Sequence, residues 1–270
     1  MSRARFLVAD VGGTNTRFAI TDGDALDLCS VRKLKNAEHS SLHNAIRAYQ
    51  TEMGSVDVTH ACVAIAGPVQ NGVGTLTNLN WTMSENDLQD VTGATRALVL
   101  NDLQAQGFGL DRLSSDAQIK VQNGVDFGPN FTRLVVGVGT GFNAAPVFPM
   151  RTGHHVPASE CGHVNVPIRR QSDFDLCRFV EANFGFPAVE DVLSGRGLEH
   201  VYAWHLSQAK DPGHRGNLTA QEIIEQARNA VPVATKATQH FVELLGATIG
   251  NLALTFLPFG GIYLIGGVVR

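Results

Sequence analysis

Charge is scarce in this sequence: Asp, Glu, Lys and Arg make up 17% of 270 residues, against about 25% in an ordinary soluble domain. The formal net charge is −4 and no basic run is longer than the pair Arg169-Arg170. Without a Lys/Arg excess there is no general electrostatic grip on nucleic acid and no polybasic patch for a membrane surface. Cysteine is sparse too. Cys29, Cys62, Cys161 and Cys177 lie far apart and form no CxxC pair, which predicts a reduced, cytoplasmic chain. No signal-peptide pattern opens it, since Arg5 leads into only four apolar residues before Asp10. Long apolar runs are also missing. Leu244–Val269 carries no charge, but Pro258 and six glycines divide it, which predicts a buried helix and then a buried strand instead of a membrane span. Walker A and Rossmann spacings are absent, which disfavours both of those phosphate-binding folds.

What is present is core material: hydrophobic residues supply 44% of the chain at a mean hydropathy of zero, enough for one large domain or two modest ones. Arg5–Ala9 is a short apolar run that ends in an acid and a glycine turn, and Thr16–Thr21 alternates with the strand period. Asp22–Asp24 is a turn and Leu26–Leu34 a third strand, so the chain opens as two antiparallel hairpins. Ser40–Met53 reads as a helix with Leu42, Ala45, Ile46 and Tyr49 on one face. His60–Ala66 and Ala97–Leu100 read as strands, with a helix opened by Ser84 and its N3 partner Asp87 between them. The pattern restarts at Leu134–Val138 with a strand, a glycine turn and a returning strand, Asn143–Val147. Helices follow at Asp173–Asn183, Gly195–Gln208, Ala220–Asn229 and Val231–Leu257, then a strand at Ile262–Ile265. Gly246 and Gly250 are expected to let another element approach the long helix closely. Two α/β halves, each opening with a glycine-turned hairpin, are the predicted architecture.

In Asp10-Val11-Gly12-Gly13-Thr14-Asn15, glycines let backbone N–H groups crowd an anion, and Thr14 adds a hydroxyl. The acid beside them makes sense if Mg²⁺ or its waters intervene; otherwise the segment is a plain β-turn. Gly137-Val138-Gly139-Thr140-Gly141 is the second such turn. Two loops at matching places suit a nucleotide lying between the halves. Asn101-Asp102 follows a strand and precedes a helix, where sites gather and where helix caps also occur. Glu160 and His163 place a carboxylate and an imidazole in one loop, able to bond the hydroxyls of a polyol. His154, His155, Cys161 and His163 lack the paired spacing of a zinc site. Glu190 is either functional or a surface acid near a helix end.

Seven ordered motifs resemble the bacterial glucokinase family of the hexokinase/actin-like ATPase superfamily: Asp10–Arg17, Ala64–Pro68, Thr77-Asn78 with Trp81, Leu100–Asp102, Gly137–Gly141, Glu160–His163 and Leu193–Leu198. The resemblance implies an α/β fold of two ribonuclease-H-like domains with a cleft between them, a smaller one over 1–106 and a larger one over 107–270. It implies ATP- and Mg²⁺-dependent phosphorylation of glucose, or a similar hexose, at the 6-hydroxyl by a cytoplasmic homodimer, with no nucleic-acid or membrane partner. Asp102 would be the general base; Asn101, Asp102, Glu160, His163 and Glu190 would hold the sugar. Gly12, Gly13, Thr14, Asn15, Gly139, Thr140 and Gly141 would cradle phosphates, and Asp10 would place Mg²⁺, in part through water.

The sequence departs from the family pattern in places. Asn143 stands where glycine is common, and Ser159 and Cys161 flank Glu160 where small residues are common. The family pattern also continues past Gly266-Gly267-Val268-Val269 with further helices, so that segment is expected to be absent. Alternatives are a kinase for another hexose, keeping Asp102 and the phosphate loops, or a non-catalytic sugar-binding or regulatory relative.

Overall fold

The computed structural model describes residues 4–23, 25–54, 56–76, 79–125, 131–209 and 218–269. Asp24 of the predicted turn, and Thr77 and Asn78 of the Trp81 motif, lie outside the described residues. The chain forms two compact units, Met1–Gly109 and Leu110–Arg270.

In the first unit, β1 (Arg5–Val11), β2 (Asn15–Asp22) and β3 (Ala25–Lys35) form the antiparallel opening. Helix α1 (Leu42–Met53) buries Leu42, Ala45, Ile46 and Tyr49, the predicted face, and Ser41 Oγ accepts from the Asn44 N–H at its start. The Tyr49 ring stacks on Phe18 with centroids 5.0 Å apart, and its hydroxyl donates to the Ser30 carbonyl, so the helix is fastened to the sheet by packing and one polar bond. Strand β4 (His60–Ile65) runs parallel to β1. A small sheet follows that the sequence did not announce: β5 (Val69–Gln70), β6 (Val73–Leu76) and β7 (Trp81–Ser84). Helix α2 (Glu85–Thr92) starts with the expected capping box, the Ser84 Oγ accepting from the Asp87 N–H and the Asp87 carboxylate from the Ser84 N–H. Strand β8 (Arg96–Asn101) runs parallel to β4 and leads directly into α3 (Asp102–Gly109). The main sheet has the order β3-β2-β1-β4-β8.

The second unit repeats the start. Strands β9 (Arg133–Val138) and β10 (Phe142–Pro149) pair antiparallel, β11 (His154–His155) extends β10, and helices α4 (Gln171–Phe184), α5 (Gly195–Gln208), α6 (Ala220–Arg228) and α7 (Pro232–Phe256) follow. Strand β12 (Ile262–Ile265) then joins β9 in parallel, giving the order β11-β10-β9-β12. One core gathers Leu134, Val136 and Val138 with Leu198, Val201 and Phe241; truncating such a side chain to alanine costs about 2–5 kcal/mol. A polar chain threads the helices: His205 Nε2 meets His240 Nδ1 at 3.3 Å, and His240 Nε2 meets Asp173 Oδ1 at 2.9 Å. Burial alone would raise the Asp173 carboxyl, but N–H bonds from Arg169 and Arg170 and the contact with His240 hold it below its ordinary value.

Two expectations fail here. A side chain at Gly246 or Gly250 would meet nothing within 4 Å, so no described element packs closely there. The last helix and strand are only partly buried, since Leu254 is 79% and Leu264 40% exposed. No described helix is long and apolar enough to cross a membrane.

Candidate active site

The parallel strands of the first unit end in register: Val11 pairs with Ile65, and Ile65 with Asn101. Three turns therefore leave the sheet side by side, at the carboxyl ends where ligands of α/β sheets bind. From β1 comes the Gly12–Thr14 turn, closed by the Gly12 N–H donating to the Asn15 carbonyl at 3.0 Å, with Thr14 exposed. From β4 comes the Gly67-Pro68 turn. From β8 comes Asp102, the first residue of α3.

Asn101 is 6% exposed and ties two of these turns: its Nδ2 donates to the Gly67 carbonyl at 3.1 Å, and its Oδ1 accepts from the Leu103 N–H at 2.9 Å. Asp102 Oδ1 accepts from the same Leu103 N–H. Burial, and secondarily the negative charge of Asp10, push the Asp102 carboxyl above its ordinary value despite that bond. A half-buried, proton-seeking carboxylate at strand ends is a candidate acid–base group. Asp10 is more than half exposed, with Oδ2 3.0 Å from Arg17 Nη1 across the β1–β2 pair.

The sequence reading missed what holds the first glycine turn. Asn36, 2% exposed, donates from Nδ2 to the Gly12 carbonyl at 2.7 Å and accepts from the Thr16 hydroxyl at 2.8 Å, while its backbone N–H donates to the Thr14 carbonyl. In the sequence it is one polar residue among several, between Lys35 and Glu38 at the end of a strand, and reads as loop.

In the second unit, the Gly139 N–H closes its turn on the Gly141 carbonyl at 2.9 Å, and Thr140 is exposed as Thr14 is. The Gly195 N–H at the start of α5 donates to the Gly139 carbonyl at 2.8 Å, so a helix N-terminus abuts this turn, a setting that favours anions. Glu190 is not merely a surface acid: its Oε2 accepts from the Phe142 N–H at 3.1 Å and its Oε1 lies 3.6 Å from Arg196 Nη2. A Cβ on Gly141 would run into that carboxylate, and a Cβ on Gly162 would overlap the Phe142 carbonyl. The glycines thus let the Cys161–His163 turn, the second glycine turn and Glu190 lie against one another. Glu160 and His163 sit at the surface of this cluster, Oε2 to Nε2 3.9 Å, with side chains 54% and 66% exposed.

The structure therefore brings Asp10, Gly12–Asn15, Asn101 and Asp102 together in the first unit, and Gly139–Gly141, Glu160, His163 and Glu190 in the second. Among the described residues, no three His, Cys, Asp or Glu side chains could hold a metal ion by themselves. An exposed Asp10 beside a glycine turn does fit Mg²⁺, which keeps several waters and takes one or two carboxylates plus substrate phosphates.

The glucokinase family profile matches residues 7–270. The chain is similar to the glucokinase of Chromohalobacter salexigens, 36% identical over 266 residues, which are 97% of this chain and 82% of that protein. Among solved structures it resembles a glucokinase from an Antarctic psychrotroph, at TM-score 0.83 and 29% identity over 98% of this chain and 83% of that one. A ROK family glucokinase from Streptomyces griseus in complex with glucose and AMPPNP shares the fold at TM-score 0.64 and 21% identity, over 98% of this chain and 84% of that one. With the profile spanning nearly its whole length and a relative at 36% identity, the chain belongs to the glucokinase family.

Proposed function

We propose that this protein transfers the γ-phosphoryl group of ATP to the 6-hydroxyl of glucose. The observation that carries this is Asp102: a carboxylate raised by burial, at the end of β8, beside the Gly12–Asn15 turn. As the hydroxyl oxygen bonds to the γ-phosphorus, the bond from that phosphorus to the β,γ-bridging oxygen breaks, ADP leaves, and the hydroxyl proton passes to Asp102. A raised pKa brings the base closer to that of the group it deprotonates.

Phosphoryl transfer needs alignment and charge neutralisation more than covalent help. The Gly12–Asn15 and Gly139–Gly141 turns, with the Thr14 and Thr140 hydroxyls, hold phosphate oxygens. Asn101, Glu160, His163 and Glu190 bond the remaining sugar hydroxyls. A wrong epimer leaves such a group without a partner, at about 1–3 kcal/mol each. Asp10 places Mg²⁺, which when bound with the nucleotide neutralises charge on the transferring group. The enzyme works in the cytoplasm as a homodimer, with a hexose as substrate and no nucleic-acid or membrane partner.

A coupled assay for sugar 6-phosphate with Mg-ATP, run on glucose, mannose, fructose and N-acetylglucosamine, tests this. Turnover strongest on glucose is expected; preference for another sugar moves the chain to a different hexose, and no turnover on any overturns the kinase reading.

A further inference from the structure

Asn143, where the sequence leaves the family pattern, is the second residue of β10, directly across from Gly137 of the second glycine turn. Its amide reaches both sides of one residue. The Nδ2 donates to the Ser159 carbonyl, and the Oδ1 accepts from the Cys161 N–H at 3.2 Å. The same Oδ1 lies 3.5 Å from the Cys161 sulfur and accepts from the Ala144 N–H at 2.8 Å. The backbone immediately before and after Glu160 is thus clasped by a single planar group rooted in a sheet strand. Glu160 itself opens the turn, its carbonyl accepting from the His163 N–H at 3.1 Å. A primary amide is the one small neutral side chain that donates and accepts along parallel directions from one plane. Aspartate at 143 would lose the donor, and alanine would lose both.

From this geometry we infer that Asn143 is a positioning residue for sugar binding: it sets where the Glu160 carboxylate points, and through the Cys161–His163 turn where the His163 ring sits. The inference deepens the proposed function and rests on Glu160 holding a sugar hydroxyl. A misdirected hydrogen-bonding carboxylate weakens the sugar complex, whereas the Gly139–Gly141 turn is fixed independently, by its own Gly139 N–H to Gly141 carbonyl bond and by the Gly195 N–H of α5 donating to the Gly139 carbonyl. The effect therefore falls on glucose and spares ATP.

The test measures KM for glucose, KM for ATP and kcat in Asn143→Ala, Asn143→Asp, Glu160→Gln and Asn143→Ala/Glu160→Gln. Expected are a rise of about tenfold or more in the glucose KM of Asn143→Ala, a smaller rise in Asn143→Asp, and an ATP KM within about twofold in both. The double variant should fall well short of the product of the two single effects, because Asn143 acts in part through Glu160. Should Asn143→Ala unfold, the isosteric Asn143→Asp carries the same comparison. An unchanged glucose KM in the Asn143 variants, with a raised one in Glu160→Gln, overturns the positioning role alone. Effects that multiply in the double variant, or an ATP KM that rises in step with glucose, also overturn it. An unchanged glucose KM in Glu160→Gln removes the sugar role of Glu160, and the inference with it.

Discussion

In the first unit the glycine turn is braced from behind by a buried neutral amide, Asn36, whereas in the second the matching turn is braced by a carboxylate, Glu190, and by the start of α5. Both turns join the first two strands of a sheet that then adds a parallel strand, and both expose a threonine. The supports differ because the flanking chemistry differs. Behind the first turn lies the end of β3, where a charge would be buried among strands; Asn36 is 2% exposed, with both its amide oxygen and its amide nitrogen hydrogen-bonded. Behind the second lies a loop cluster with room for Arg196 beside the acid. A repeated backbone plan therefore does not dictate repeated side-chain supports; each turn has recruited whichever polar group its surroundings can satisfy.

Substitutions at the two braces test this contrast. Asn36→Ala strands the buried Thr16 hydroxyl and the half-buried Gly12 carbonyl, so a loss of about 2 kcal/mol in urea unfolding is expected. The ATP KM should rise about tenfold with glucose affinity little changed; equal losses for both ligands would break the assignment of this turn to phosphate. Glu190→Ala removes the partner of the Phe142 N–H and should raise both KM values several-fold. Glu190→Gln keeps an acceptor, so its ATP KM should stay near wild type while that for glucose rises. If glutamine behaves like alanine toward ATP, the charge and not the hydrogen bond supports the second turn.

Smaller effects come from titration. The Asp102 carboxyl is held above 3.8 by burial and then by Asp10, so kcat/KM for glucose should fall on acidification with a limb above the ordinary aspartate range. A limb at or below 3.8 would place the base elsewhere. His205 is held down at about 4, chiefly by burial and then by His240. An imidazole depressed below its unfolded value near 6.5 contributes stability that is complete above that value and is lost as pH falls toward 4. Urea midpoints at pH 7 and pH 5 should therefore converge in His205→Asn relative to wild type.

Much of this was legible in the sequence because local chemistry decided it. The Ser84–Asp87 box, the apolar face of α1 and the hairpin β1–β2 are set by neighbours within a few residues. The small sheet β5–β6–β7 was not legible, since strands of two and four residues are too short to show a period. The exposure along α7 and β12 is not legible either, because composition cannot tell an apolar face that is covered from one that is not. At the site, the motif residues stand out in the sequence by their spacing, but Asn36 and Asn143, which hold the turns around them, act across 24 and 16–18 residues of chain. No spacing rule reports such contacts; only the folded sheet does.

The most direct measurement pairs turnover with binding in Asp102→Asn: kcat from the coupled assay, and glucose affinity by calorimetry on the same preparation. A fall in kcat of about 10²–10⁴-fold with glucose affinity within a few-fold of wild type is expected of a lost general base. Turnover near wild type, or a loss of glucose binding that accounts for the whole fall in activity, would contradict Asp102 as the base.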